Sequence, residues 1–381
     1  MVVRGWFGGW IGAAALLALC AQGCDEAQRK KELTAATEAK EANTTASAST
    51  NAAAATPKKA PETEKAHTRT VLARFKKPKG LAVAGGSAYV MDALSGDKDQ
   101  NEVLDLLRVP VPAGGEPARV ATKLRSAGTP VVVKDEVFFA TGGDKPNGAA
   151  DRLLKVAADA SGATAAQVAP KALALADPAV ASDGTNLYYL AASDDKAKLD
   201  VMRIPTGGGK ATKIATGDRS ARVLFIAADS KYVYWPEGGR LMKVPVAGGE
   251  SKEVAKVVYA WAAVSDGNYL YWSDSPGENM GVIRRIKLDG ASAGTAPQAG
   301  PGAAENLGSG FSYPVGLALD DKSVFFVNYD AEDGGVYRVA KTGGPTATLI
   351  RGQKNPKRIA VDDRHVYWIN VGEGTLSQTD K

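Results

Sequence analysis

The chain is short of the residues on which covalent bracing and much side-chain chemistry depend. Of its 381 residues two are cysteine and two are histidine. Both cysteines, Cys20 and Cys24, fall in the N-terminal apolar segment, so everything after them lacks a thiol and no disulfide can brace it. A domain made from that remainder is held by burial alone, which a large β structure can manage. The two histidines, His67 and His365, are far apart in sequence and read as exposed filler. That leaves no zinc site, His-based triad or histidine base to assemble. Charge of one sign is scarce too: a formal net charge of +5 on a chain that is 23% charged lacks the signature of a nucleic-acid binder. After residue 69 no amphipathic helical period is found.

What is present begins with an address. Arg4 supplies a positive start and Trp6 to Leu19 a short apolar stretch, too short and too rich in glycine to span a membrane, so residues 1–24 read as an export signal. The end of this segment, Ala21-Gln22-Gly23-Cys24, resembles the bacterial lipobox, in which a small residue precedes a cysteine that is acylated and becomes the new N-terminus. The resemblance implies lipidation at Cys24, since Leu19 is too large for the position before Cys20. Acyl chains contribute about 0.8 kcal/mol per buried CH₂, enough for stable anchoring when two or three act together. Residues 25–68 hold Ala, Thr, Glu, Lys and Ser with almost no large apolar side chain; they cannot form a core and read as a disordered tether.

From Arg69 the chain repeats at a period of about 40 to 50 residues, the mark of a propeller or solenoid. An inner strand reads Gly80-Leu81-Ala82-Val83, Gly316-Leu317-Ala318-Leu319 or Arg358-Ile359-Ala360-Val361. A second carries an aromatic pair, as in Val233-Tyr234-Trp235, Leu270-Tyr271-Trp272 and Val366-Tyr367-Trp368. A third ends in a Gly-rich turn such as Val244-Pro245-Val246-Ala247-Gly248-Gly249. These segments are short, β-branched and bounded by Gly, Pro and Asp, as hairpins are. Central aromatics at Tyr89, Phe138, Tyr188, Tyr234, Tyr271, Phe325 and Tyr367 predict an all-β propeller of seven four-stranded blades over 69–381, with six or eight as alternatives. The last repeat stops after its third strand. Residues 70–78 lead into the first inner strand as 348–356 lead into the last, so the N-terminal strand 69–75 is expected to complete the final blade.

The stretch Tyr271-Trp272-Ser273-Asp274, followed by Arg284-Arg285-Ile286-Lys287-Leu288-Asp289-Gly290, resembles the YWTD repeat of lipoprotein-receptor propellers. Val366-Tyr367-Trp368-Ile369-Asn370 and the Val-Pro-Gly-Gly turns resemble related repeats of secreted bacterial propellers. The resemblance covers 69–381 and implies fold more than function; receptor rings of this type have six blades. It implies a structural role for the polar residue three places after the central aromatic: Asp92, Glu237, Asp274, Asn328 and Asn370, with Thr141 and Ala191 in repeats two and three.

A propeller's ligand face is made by the loops entering the inner strands and those joining second and third strands. The inner strands carry no acids except at their far ends, so no central metal ring is expected, and no cofactor is implied. Residues 96–102 resemble a calcium loop only faintly, lacking the Gly at the sixth position and the closing Glu. The entering loops are basic: Lys76, Lys77 and Lys79, then Arg125, then Arg219 and Arg222, then Lys354, Lys357 and Arg358. Trp261, Phe311 and Tyr313 stand at the mouths of two further loops and can stack on rings. The expectation is a basic funnel with an acidic rim, on a monomeric, lipid-anchored, non-catalytic binding or scaffolding protein of the bacterial cell envelope. Its partner would be an anionic glycan or an envelope protein. The alternatives are a lyase or hydrolase acting on an envelope polysaccharide, and an outer-membrane assembly factor; fold cannot choose among them.

Overall fold

Short apolar runs separated by Gly, Asp and Pro can bury both faces only by stacking sheet on sheet, and the chain does so around a ring. A computed structural model describes residues 67–96, 102–125, 127–142, 151–173, 177, 179–219, 225–275, 277, 279–288 and 304–381. The residues read from sequence as an export signal with Cys24, and those read as a tether up to residue 66, lie outside the described residues.

Among the described residues there are 28 strands and no helix, arranged as seven antiparallel sheets of four. Each sheet is one blade, so the count is seven rather than six or eight. Inner strands neighbour one another in order around the ring, and that of blade 7 (Pro356–Val361) meets that of blade 1 (Pro78–Ala84).

Blade 7 takes its outer strand from the start of the ring: Thr70–Arg74 pairs with Thr375–Asp380. Leu72 and Ala73 are buried there with Leu81, Val109, Tyr367 and Leu376. Arg69 fastens the same seam, donating from Nε to Ser377 Oγ at 3.0 Å and from Nη2 to Thr375 Oγ1 at 3.0 Å, and pairing with Glu373.

The seven central aromatics are all buried. Each lies directly across from a third-strand residue: Tyr89 from Arg108, Phe138 from Lys155, Tyr188 from Arg203, Tyr234 from Lys243, Tyr271 from Arg285, Phe325 from Arg338 and Tyr367 from Gln378. Several of these polar side chains then reach the next blade. Arg203 donates to the Val246 carbonyl at 2.9 Å, Lys243 to that of Leu288 at 3.5 Å, and Arg285 to that of Lys341. Gln378 of blade 7 donates to the Pro112 carbonyl of blade 1 at 3.3 Å, which extends the linkage across the seam.

On the face opposite the entering loops, an aspartate closes the turn after the inner strand. Asp229 Oδ1 accepts the N–H groups of Lys231 (2.7 Å) and Tyr232 (2.8 Å), while Oδ2 accepts the Tyr234 hydroxyl at 2.7 Å. Asp183 with Tyr188, Asp266 with Tyr271 and Asp362 with Tyr367 repeat the device. Blade 6 has Phe325 in place of the tyrosine, and the Lys381 ammonium sits 2.9 Å from Asp320 Oδ2 instead. His365 is not exposed filler: its side chain is 17% accessible and lies 3.4 Å from Asp362 and 3.6 Å from Asp380.

Two inner-strand glycines set how closely neighbouring blades approach. A Cβ on Gly80 would lie 2.7 Å from Thr129 Cα of blade 2, and one on Gly316 would lie 2.9 Å from the Lys357 carbonyl oxygen of blade 7. Blade 7 carries Arg358 where blades 1 and 6 carry these glycines, since Pro356↔Asn370 and Arg358↔Ile369 repeat the register of Pro78↔Asp92 and Gly80↔Met91. That substitution places an arginine on the wall of the axial channel.

Candidate functional site

An entering loop crosses the radial width of a blade, three strand spacings or about 14 Å, between the end of one outer strand and the start of the next inner one. A cation at the first end therefore sits at the rim and one at the second end at the axis. Arg125 ends the outer strand of blade 1 (Ala118–Arg125) and its carbonyl accepts the Gly142 N–H at 2.8 Å. Arg219 follows the outer strand of blade 3 (Thr212–Asp218), with its N–H on the Ala197 carbonyl at 2.8 Å. Lys354 follows that of blade 6 (Ala347–Gln353), and its carbonyl accepts the Gly372 N–H at 3.1 Å. Lys76 gives its backbone N–H to Asp92 Oδ2 at 3.2 Å. Arg222 lies outside the described residues, as do residues 97–101 of the calcium-like stretch.

Lys77, Lys79, Lys357 and Arg358 form the axial group. Lys77 and Lys79 share Glu102, at 3.0 Å and 2.9 Å, at the start of the third strand of blade 1 (Glu102–Pro110). Arg358 reaches furthest. Its Nε donates to Thr129 Oγ1 of blade 2 at 3.0 Å, Nη1 to the Val315 carbonyl of blade 6 at 3.3 Å, and Nη2 to the Asp177 carbonyl of blade 3 at 3.2 Å. Nη2 also pairs with the Asp177 carboxylate, and Lys357 Nζ is 3.6 Å from it. One guanidinium thus ties blades 2, 3 and 6 to blade 7 across the channel, with its side chain only 12% accessible.

The electrostatics follow from this crowding. Burial works against ionisation of Asp177, but the Arg358 and Lys357 charges and the Thr129 hydrogen bond outweigh it and hold the carboxyl down to about 2. Burial, aided by the Arg358 and Lys79 charges, pulls the Lys357 ammonium down to about 8 against the attraction of Asp177. Burial also opposes ionisation of Glu102, yet Lys79 and Lys77 bring its pKa below the usual value. Among the described residues these four cations pair with two carboxylates, Glu102 and Asp177, an excess of two positive charges within the group (4 − 2).

The aromatic side of the same face lies on blades 5 and 6. Trp261, in the inner strand of blade 5 (Ala260–Ser265), meets Tyr313 edge to face with ring centroids 6.3 Å apart. Tyr313, Val258 and Met280 are exposed large apolar side chains, all on loops of this face. Phe311 is buried, 4.7 Å from Phe326 and 5.3 Å from Tyr337, so its ring packs the blade rather than the mouth. Among the described residues no three His, Cys, Asp or Glu side chains cluster as metal ligands would.

Thr129 and Asp177 belong to this site and are absent from the sequence expectation, in which Glu102 figured only as the end of the calcium-like stretch 96–102. A signal for the first two was present: Thr129-Pro130 and Asp177-Pro178 stand where Lys77-Pro78, Tyr313-Pro314 and Asn355-Pro356 stand in other repeats, so the residue before proline marks the mouth.

No protein-family model matches the chain, and no curated protein is similar to it in sequence. Solved structures are similar in fold. An oligogalacturonate lyase in complex with manganese has a TM-score of 0.55 and 14% identity over 82% of this chain and 90% of that one. Puromycin hydrolase has 0.50 and 12% over 78% of this chain and 59% of its own. BamB from Moraxella catarrhalis has 0.48 and 13% over 82% and 98%. At these identities the likeness concerns the β-propeller fold alone.

Proposed function

We propose that this protein is an exported binding or scaffolding protein of the bacterial cell envelope, lipid-anchored through Cys24, whose loop face takes an anionic partner. The observation that carries this reading is the convergence of Lys77, Lys79, Lys357 and Arg358 on the axis, where among the described residues they pair with two carboxylates only. Positive charge clustered among partly buried side chains acts on an approaching anion more strongly than the same charge spread over a surface. The export segment and Gly23-Cys24 support the address. The test is capture of envelope components on the full chain, read for both glycan and protein by mass spectrometry, with Lys77, Lys79 and Lys357 exchanged together for Met as the control. Capture of anionic material that the triple variant loses supports the reading; equal capture by both refutes it.

A second reading is favoured by Val258, Met280 and Tyr313, three exposed apolar side chains on loops of blades 5 and 6. Such a patch suits a docked protein, as an assembly factor requires. Capture of protein alone, lost on exchanging these three for Ser, selects it.

A further inference from the structure

The residue ahead of the inner strand is treated alike in three blades. The N–H of Lys77 donates to Asp92 Oδ1 at 2.7 Å, that of Tyr259 to Asp274 Oδ1 at 2.7 Å, and that of Tyr313 to Asn328 Oδ1 at 2.8 Å. Blade 2 has no such acceptor. Thr141 occupies the slot and gives its hydroxyl to the Arg125 carbonyl at 2.5 Å. The N–H and hydroxyl of Thr129 are therefore left over, and both go to Asp177 Oδ1, the N–H at 3.1 Å. Asp177 Oδ2 faces the Arg358 guanidinium, with Lys357 Nζ at 3.6 Å.

A backbone N–H, a hydroxyl, a guanidinium and an ammonium thus surround one carboxylate. All four come from blades 2 and 7, while the carboxylate comes from blade 3. We propose that this cradle is a carboxylate-binding site which Asp177 fills in the absence of ligand, and that the ligand group is the uronate of an acidic glycan. The proposal deepens, and rests on, the reading of the loop face as anion-binding.

Three features point the same way. The cradle's donors match a carboxylate in number and kind, and Arg358 meets it through Nη2 while Nε and Nη1 fix the guanidinium on Thr129 and Val315. Among the described residues, the positive charge of Lys77, Lys79, Lys357 and Arg358 exceeds that of Asp177 and Glu102, which favours a further carboxylate while Asp177 is still in place. Tyr313, edge to face with Trp261, precedes by two residues Val315, whose carbonyl takes Arg358 Nη1 at 3.3 Å. A flat apolar face next to a carboxylate cradle suits a pyranose ring bearing a carboxylate better than a bare inorganic anion. Asp177, as an intramolecular competitor, has an effective concentration of order mM, and a ligand must displace it.

The experiment uses the full chain as wild type, Asp177→Ala and Asp177→Asn, with unfolding temperature and near-UV circular dichroism to establish that each is folded. At constant ionic strength, sodium acetate is expected to raise the unfolding temperature of Asp177→Ala by several degrees while leaving wild type unmoved. Trigalacturonate is expected to bind Asp177→Ala at least tenfold more tightly than wild type, and its methyl ester is expected not to bind. Asp177→Asn, which keeps the shape and loses the charge, carries the same comparison of trigalacturonate affinity if the alanine variant does not fold. No acetate response together with unchanged trigalacturonate affinity overturns the cradle. A gain for a tripeptide with a free C-terminus and none for trigalacturonate overturns the glycan assignment. Envelope capture by wild type that Asp177 substitution leaves unaltered would sink this proposal while the broader anion-binding reading stood.

Discussion

Ring closure by the first strand makes a quantitative claim about residues more than 300 positions apart in the chain. Leu72 is 7% accessible and packs against Leu81, Val109, Tyr367 and Leu376 at the seam. Truncating such a leucine to alanine removes the transfer free energy of its methyl groups and leaves a cavity, together about 3 kcal/mol. That is roughly a hundredfold in the folded-to-unfolded ratio. Gly374→Ala strikes the same seam from the backbone side. Gly374 has φ +63, and a Cβ there would collide with the Phe75 carbonyl oxygen, whose own N–H donates to the Gly374 carbonyl at 2.7 Å. Backbone cannot turn aside as a side chain can, so the seam must shift. The assay is urea unfolding at equilibrium, followed by tryptophan fluorescence, to which the fully buried Trp368 of blade 7 contributes. Both variants are expected to lower the midpoint with an unchanged slope, because the surface exposed on unfolding is the same. A chain beginning at residue 75 should lose at least as much as Leu72→Ala, whereas one beginning at residue 67 keeps the closing strand. If Leu72→Ala costs less than about 0.5 kcal/mol, the value of an ordinary surface substitution, then the strand is not part of the cooperative unit and the closure argument fails.

Other consequences can be checked separately. Asp177, held down to about 2, contributes stability that is fully present above its unfolded value of 3.8 and is lost as pH falls from about 4 towards 2. Lys357 has the opposite charge but the same direction of shift. Its folded value of about 8 against 10.5 unfolded means that the folded state sheds its proton first, so stability rises between pH 8 and 10.5; Lys357→Met should abolish that rise in unfolding temperature. Gly80→Ala forces a methyl to within 2.7 Å of Thr129 Cα and should cost about 1 to 3 kcal/mol in urea unfolding by wedging blades 1 and 2 apart. Tyr234→Phe removes the 2.7 Å hydrogen bond to Asp229 and should cost about 1 kcal/mol, measured the same way.

Much of this molecule was legible from local pattern. Alternating apolar and aromatic residues fix which face of a strand is buried, and a one-residue slip would expose every one of them, so the blades follow from the period, with seven expected ahead of six or eight. The incomplete last repeat and its match at residues 70–78 pointed to the closing strand, found as Thr70–Arg74. The polar slot was legible in kind. Asp92, Asp274 and Asn328 accept backbone N–H groups as expected, although Glu237 instead accepts the indole N–H of Trp235 at 3.0 Å. The cations that cross from blade to blade passed unnoticed, because a carbonyl partner leaves no trace in the sequence.

The sequence by itself determined that the ring is braced without disulfides and that its entering loops are basic. Only the tertiary structure decided which cations share the axis, because an entering loop runs from rim to centre and its two ends look alike as text. Lys77, Lys79, Lys357 and Arg358 meet there, while Arg125, Arg219 and Lys354 adjoin outer strands. Only the structure also decided that the group contains its own anion. Asp177 reaches Arg358 across 181 positions of sequence, and the missing acceptor at Thr141 that frees Thr129 to hold it acts through space, between blades. Charge in the text is a sum over residues, whereas charge at a site depends on which of them the ring brings within a few ångströms of one another.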